Sequence, residues 1–306
     1  MRKFTINKEE APSQWSALFR GRNMSDTVCC SPEYNGPIDH VFAGGSIDFI
    51  QSRNPRIAIV GTRDMSPYGK SVTEHIVASL AARANKPIVF SGLALGIDAN
   101  AHRAALNNGL NTVAVLPTGF DEIYPRAHKG LAESIVNNGG CLMTDFPEQT
   151  APAPINFLHR NQLLVKMVDM VIVVESKAKG GAMVTAKLAK DFNIPVFAVP
   201  GRIDDVRSTG CNQLIADQIA QPLSDLKKLE TTEKLETMGI KAPLRKWAVT
   251  LYNMNWGLNK DGRPYETETV EIMAATQDDA ERLSISRGLI NLQSGWGVWD
   301  SSPVEQ

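Results

Sequence analysis

Glycines, hydroxyl residues and cations gather at a few points along this 306-residue chain. Gly61-Thr62-Arg63, Ser91-Gly92 with Gly96 shortly after, and Lys177, Lys179, Gly180 and Gly181 with Thr185 each stand just beyond a short apolar run. Pro117-Thr118-Gly119 follows another. Glycine lets backbone approach a phosphate closely, successive N–H groups form an anion-binding concavity, and a cation completes it. Turns of α/β proteins need glycine on their own account, so no single loop argues for a ligand. The set, with Arg63, Lys177 and Lys179 among its members, points to a phosphate site. A further cluster, Asn156-Phe157-Leu158-His159-Arg160-Asn161-Gln162, follows the proline-spaced APAP, so its start is expected to be extended and exposed. An aromatic beside cations offers a face for base stacking and charge for a nucleic-acid backbone. Taken alone, Phe157 reads more readily as a core anchor.

Other chemistries lack their residues. The chain has no GxxxxGK[ST] and no GxGxxG, so neither a Walker site nor a dinucleotide cofactor is expected. The GxSxG elbow of an α/β-hydrolase is missing as well. Asp98 and His102 are four apart and read as a capping carboxylate and a packed histidine. Asp121, Tyr124, Pro125 and Arg126 read as a turn and a polar packing knot with no assigned chemistry. Cys29, Cys30, Cys141 and Cys211 show neither CxxC spacing nor paired histidines, as expected of thiols in a reducing compartment, with no metal.

The elements that must position these loops alternate. RIAIVG, PIVFSG, NTVAVLP, CLMTDF, DMVIVVE and VFAVPG are short runs rich in β-branched residues, the pattern of buried parallel strands. Helical segments separate them: 68–84, 98–109, one ending near 138, then 159–166, 181–192 and 212–220. Regular alternation predicts an α/β protein with a Rossmann-like doubly wound parallel sheet. Ligands of such sheets lie beyond the carboxyl ends of the strands, which is where the glycine- and cation-bearing loops fall.

Four segments follow. Residues 1–54 are an N-terminal extension read as a short helix and loops; 55–223 form the Rossmann-like domain; 224–246 are a charged linker; 247–306 read as a small α+β (ββαβ) module with a helix near 277–292. Four of the five tryptophans (Trp247, Trp256, Trp296, Trp299) lie in that module, where they are expected to build its core. The whole chain is nearly neutral, at −1. From Asn156 to Arg202, however, seven Lys/Arg stand against three Asp/Glu, while 261–306 holds nine acidic and three basic residues. The basic excess is local, and the tail is not expected to bind a polyanion. The first residues lack the apolar run of a signal peptide and no stretch approaches the length of a membrane span, so a soluble cytoplasmic protein is expected.

In register along the chain, GTR (61–63), SGLALGID (91–98), AHRAAL (101–106), LPTGFDEIYPRAH (116–128), NFLHRNQL (156–163), GGAMVTAKLA (180–189), VFAVPGRID (196–204) and GCNQLI (210–215) resemble the DprA/Smf family of DNA-processing proteins. The resemblance implies a Rossmann-like domain that binds single-stranded DNA, helps load a RecA-type recombinase, self-associates as a homodimer and has no known chemical step or cofactor. It places the arginine of the family's GSR loop on Arg63 and its Phe-x-x-Arg-Asn on Phe157, Arg160 and Asn161. Gln162 stands where the family has a second arginine, and Gly181 where it has a serine. Residues 1–54 are too few for the family's helical N-terminal domain, and the tail does not read as a winged helix. Two rivals are an enzyme similar to the LOG-type nucleoside-monophosphate phosphoribohydrolases and a sensor of a nucleotide-like ligand. The LOG-type pattern puts a glutamate where this chain has Lys187, and a cation does not assist an oxocarbenium-like transition state as a carboxylate does.

Overall fold

The computed structural model describes residues 3–7, 13, 17–19, 38, 40–50, 52 and 54–226, together with the backbone of three strands farther on (245–253, 267–274 and 296–303). The charged segment 227–244, the helix expected over 277–292, Cys29, Cys30 and the side chains of Trp247, Trp256, Trp296 and Trp299 lie outside the described residues.

The alternating runs form strands β3 (Arg56–Val60), β4 (Ile88–Ser91), β5 (Thr112–Val115), β6 (Cys141–Thr144), β7 (Met170–Val173) and β8 (Val196–Ala198), with β9 (Gln221–Pro222) at one edge. Neighbours pair in parallel in the order β6-β5-β4-β3-β7-β8-β9. Helices α1 (Pro67–Ala81), α2 (Ile97–Asn107), α3 (Lys129–Asn137), α4 (Pro154–Lys166), α5 (Gly181–Asp191) and α6 (Thr209–Ala216) connect them. The period of two in β3 sorts its side chains. Ile57 and Ile59 pack with Ile76, Val77 and Leu80 of α1 and Ile97 and Ala101 of α2. Ala58 and Val60 join the opposite cluster, with Leu163 and Leu164 of α4 and Ala186 and Leu188 of α5. Both faces of the sheet are covered, as the unbroken apolar runs require.

The N-terminal stretch differs from the expected helix and loops. β1 (Lys3–Asn7) and β2 (His40–Gly45) pair antiparallel with each other, and β2 pairs antiparallel with β6, so both extend the main sheet to nine strands. These runs are short, and β2 ends in two glycines, which weakens any strand pattern in the sequence. The buried Arg56 holds this region from below. Its guanidinium donates to the carbonyls of Leu18 (2.6 Å), Phe49 (3.2 Å) and Ile50 (2.9 Å).

A second correction concerns α4. The segment after APAP is helical from Pro154 instead of extended: Ala153 is the extended N-cap, and Pro154, which lacks an N–H, takes the first helical turn without loss. The C-terminal strands β10 (Arg245–Asn253), β11 (Thr267–Ala274) and β12 (Trp296–Pro303) form a separate antiparallel sheet in the order β11-β10-β12, in a compact unit covering 241–306.

Candidate functional site

From β3 the chain winds outward in both directions, to β4, β5 and β6 on one side and to β7 and β8 on the other. The gap between β3 and β7 is therefore the topological switch point, and a crevice opens beyond the carboxyl ends of these two strands. Gly61-Thr62-Arg63 leaves β3 here, and Glu175-Ser176-Lys177 follows β7. The Thr62 N–H donates to the Glu175 carbonyl (2.7 Å), fixing one turn against the other. Gly96 has φ +76°, and a Cβ there would stand 2.3 Å from the Thr62 carbonyl oxygen, so the loop before α2 lies directly against the Gly61-Thr62-Arg63 turn.

Beneath these loops sits a buried ionic knot. Arg160 reaches up from α4, donating from Nη1 to the carbonyls of Gly92 and Val115 (2.8 Å to Val115) and from Nε to Asn161 Oδ1 (3.0 Å). It is 5% exposed. Asp98, in the first turn of α2, accepts from the Gly92 N–H (3.1 Å). Burial pushes Arg160 down to about 10 even though Asp98 opposes the fall, and burial raises Asp98 despite the nearby guanidinium. Gly92 is required here because a Cβ would lie 2.2 Å from Arg160 Nη1. Ser91 is fully buried with its hydroxyl donating to Ile59 O (2.6 Å), and Thr185 is buried over Gly181 O (3.4 Å). Ser91, Arg160, Asn161 and Thr185, expected as phosphate or DNA contacts, thus face inward and shape the loops from below.

The outward-facing residues do come together. The Arg63 guanidinium lies over the Phe157 ring, 5.2 Å from its centroid. Phe157 is half-buried, and its ring meets Tyr124 edge-on at 5.4 Å and 78°. Its ring thus lies between Arg63 and Tyr124 and belongs to neither main core cluster. Tyr124, to which the sequence assigns no chemistry, supports it. Across the crevice Lys177, Lys179 and Gly181 are exposed ahead of α5, with Gly180 as its N-cap, and no atom within 4 Å of where a Cβ on Gly181 would point. Lys187 is exposed nearly two turns into α5.

Sequence reasoning passed over three residues. Glu175 is buried at the end of β7 and accepts from both the N–H (3.0 Å) and the hydroxyl of Ser66, whose oxygen in turn caps α1 through the Gly69 N–H (3.0 Å). A glutamate ending an otherwise apolar strand was the available signal. Asp64 and Arg207 pair at 3.1 Å beside Lys177; they lie 143 residues apart, and only the fold joins them. His102 behaves as the packed histidine expected: Nδ1 meets Thr112 Oγ1 at 2.7 Å, and burial lowers its pKa to about 3.

A doubly wound, mostly parallel α/β sheet with helices on both faces and its switch point between β3 and β7 defines a Rossmann-like domain. The model of the family described as DNA recombination-mediator protein A matches residues 30–234. The chain belongs to that family, as its resemblance to the DprA/Smf proteins implies. It is 35% identical over 184 residues to DNA processing protein DprA of Streptococcus pneumoniae, covering 60% of this chain and 63% of the relative. It is 42% identical over 158 residues to a putative DNA processing protein DprA of Mycobacterium tuberculosis, covering 52% of this chain and 40% of that one. The chain therefore spans less than two thirds of the length of these relatives. Among solved structures, DNA processing protein A of Helicobacter pylori, described for its single-stranded DNA binding mode, superposes with a TM-score of 0.62 at 26% identity, over 78% of this chain and 97% of that one. The X-ray structure of the S. pneumoniae protein gives 0.61 at 28% identity, over 78% and 74%. Both describe the same sheet. Among the described residues no helix is long and apolar enough to cross a membrane.

Proposed function

We infer that this chain binds single-stranded DNA across the carboxyl edge of its main sheet and acts as a recombination mediator, protecting the strand and helping to load a RecA-type recombinase. The observation that carries this reading is the stack of Arg63 on Phe157 at the switch-point rim. A phosphate finds a cation there, and an unpaired base finds a flat apolar face beside it, the two needs of a single strand. The H. pylori relative, described by its single-stranded DNA binding mode, has the same fold over nearly all of its length. Lys177, Lys179 and the N-cap region at Gly180 and Gly181 extend the positive rim across the crevice, and Thr62, Gly61 and Gly96 shape the turn that presents Arg63. Ser91, Gly92, Arg160, Asn161 and Thr185 act from beneath as supports. The protein works in the cytoplasm as a homodimer, without cofactor and without a chemical step of its own. Of the two buried carboxylates beneath these loops, Glu175 holds Ser66 and the start of α1, and Asp98 accepts from the Gly92 N–H.

The deciding experiment is a salt series of oligonucleotide binding by fluorescence anisotropy. Single-stranded oligothymidine should bind with a linear dependence of log K on log salt, and duplex of the same length should compete poorly, because paired bases offer no free face. Equal affinity for duplex and single strand would overturn the reading.

A further inference from the structure

The turn after β3 sends two neighbouring side chains in opposite directions. Arg63 lies over Phe157, while the Asp64 carboxylate crosses the mouth of the crevice toward β7 and β8. There Asp64 Oδ2 lies 3.1 Å from Arg207 Nη2 and 3.6 Å from Lys177 Nζ. Arg207 also donates from Nε to the Asp64 carbonyl (2.9 Å), and its Nη1 is 4.0 Å from Asp205 Oδ1. One carboxylate is thus gripped by two cations, and the hydrogen bond and charge of Arg207, then Lys177, hold it below the ordinary aspartate range. All three side chains remain open to solvent, at 59%, 36% and 52% exposure for Asp64, Arg207 and Lys177.

Exposed ion pairs contribute little to stability, and the loop that carries Arg207 does not depend on this one. Its backbone is held independently: Ser176 N–H donates to Arg207 O (2.8 Å), and Gly201 N–H to Asn212 Oδ1 (3.1 Å). Two cations converging on one carboxylate oxygen, Arg207 held further by the Asp64 carbonyl and Asp205, present a geometry that a phosphate oxygen would also satisfy. Parallel neighbours are about 4.8 Å apart, so this grip lies one to two strands further along the edge than Arg63. Val206, the residue before Arg207, is 61% exposed and leaves apolar surface beside it.

We propose that Lys177 and Arg207 form a second phosphate subsite of the single-strand track, and that Asp64 is a resident carboxylate that fills it until a strand displaces it. This rests on the single-strand reading of the Arg63 rim. Asp64 then limits affinity: every strand that reaches the second subsite competes with an anion already in place.

The test is oligothymidine binding over a salt series with the full chain, folding of each variant being checked by circular dichroism. Arg207→Ala should raise Kd roughly fivefold and lower the salt slope by about 0.7, one phosphate contact on a single strand. Asp64→Asn should lower Kd severalfold and steepen the slope, and that gain should vanish in the Asp64→Asn/Arg207→Ala double variant. Glu74→Gln, which removes an equal charge from the exposed face of α1, should leave binding unchanged. A wild-type slope for Arg207→Ala, an Asp64→Asn variant that binds no tighter, or a Glu74→Gln gain equal to that of Asp64→Asn would each overturn the subsite. If Arg63→Ala and Phe157→Ala weaken binding while these variants do not, only the second subsite fails. If the reverse holds, the subsite stands and the Arg63 rim is not the site.

Discussion

Charge and stacking would be separable at the proposed site if Arg63 and Phe157 acted independently. Arg63→Ala would then flatten the salt slope, and Phe157→Ala would leave it untouched. The structure couples them, because the guanidinium rests on the ring at 5.2 Å and the ring is braced by Tyr124. An exposed cation–π contact contributes about 0.5–1 kcal/mol, and a stacked base about 1–3 kcal/mol. Phe157→Ala therefore loses the base platform and releases Arg63 into freely rotating solvent exposure. We expect it to cost about 2–4 kcal/mol in oligothymidine binding and to blunt the salt slope by part of the ~0.7 that Arg63→Ala removes entirely. The double variant should cost less than the sum of the single ones, with a coupling of about 0.5–1 kcal/mol. Arg63→Lys separates the terms, since lysine keeps the charge and so the slope but lacks the planar face that lies on the ring. Anisotropy of a labelled oligothymidine from low to moderate salt reads all four proteins. Strict additivity, or a Phe157→Ala slope identical to wild type, would show that the stack does not position the cation and would sink the reasoning.

Three further outcomes are expected, all away from the rim. Arg160→Ala should cost about 3–5 kcal/mol of stability, since it leaves Asp98 buried and unopposed and the Gly92 and Val115 carbonyls without their donor; urea denaturation reads it, and near wild-type stability would contradict the buried knot. His102 has its folded pKa lowered to about 3 from 6.5, so its contribution is intact above pH 6.5 and falls as acid protonates the unfolded chain first. The loss from this group should reach about 2 kcal/mol at pH 5, and His102→Asn, which keeps a donor for Thr112, should show a shallower acid limb when melting is followed from pH 7 to 5. Arg56→Met should loosen the N-terminal strands by removing donors to three buried carbonyls, about 1–3 kcal/mol for each group left unsatisfied; limited proteolysis should then cut within 1–54 first, and an unchanged digestion pattern would argue against the anchor.

Much of the fold was legible because β3 to β8 are short, largely apolar runs, several of them closed by glycine or proline, a pattern that has few structural solutions. The doubly wound order, and with it the location of the loops at one edge, follows from that alternation. Arg63 and Phe157 were legible by type and by family motif. Their stacking was not, because it depends on how α4 approaches the end of β3. Arg160 misled for a different reason. A cation beside an aromatic reads as exposed, yet Arg160, one turn along the same face of α4 from Phe157, is buried and donates to the carbonyls of Gly92 and Val115. Asp64 and Arg207 could not be paired from a linear reading at all, being joined only where β3 and β8 end on the same edge. The strands β1 and β2 escaped notice because β1 is a short edge strand with only partial apolar character and β2 ends in two glycines.

The placement of β2 has a consequence for how the molecule assembles. Its Gly45 faces Cys141 of β6, whereas β3, the next strand in the chain, has three strands between it and β2 in the sheet. During synthesis, at about 5–20 residues per second, β2 emerges well before its partner exists, and it can pair early only with β1. The strand order means the parallel core must be laid down through β6 before the first-made hairpin has an edge to join. Closing so distant a pair is entropically slow. An N-terminal segment kept waiting, with Ile6, Val41 and Ala43 destined for burial, is open in that interval to capture by a chaperone or by a second nascent copy.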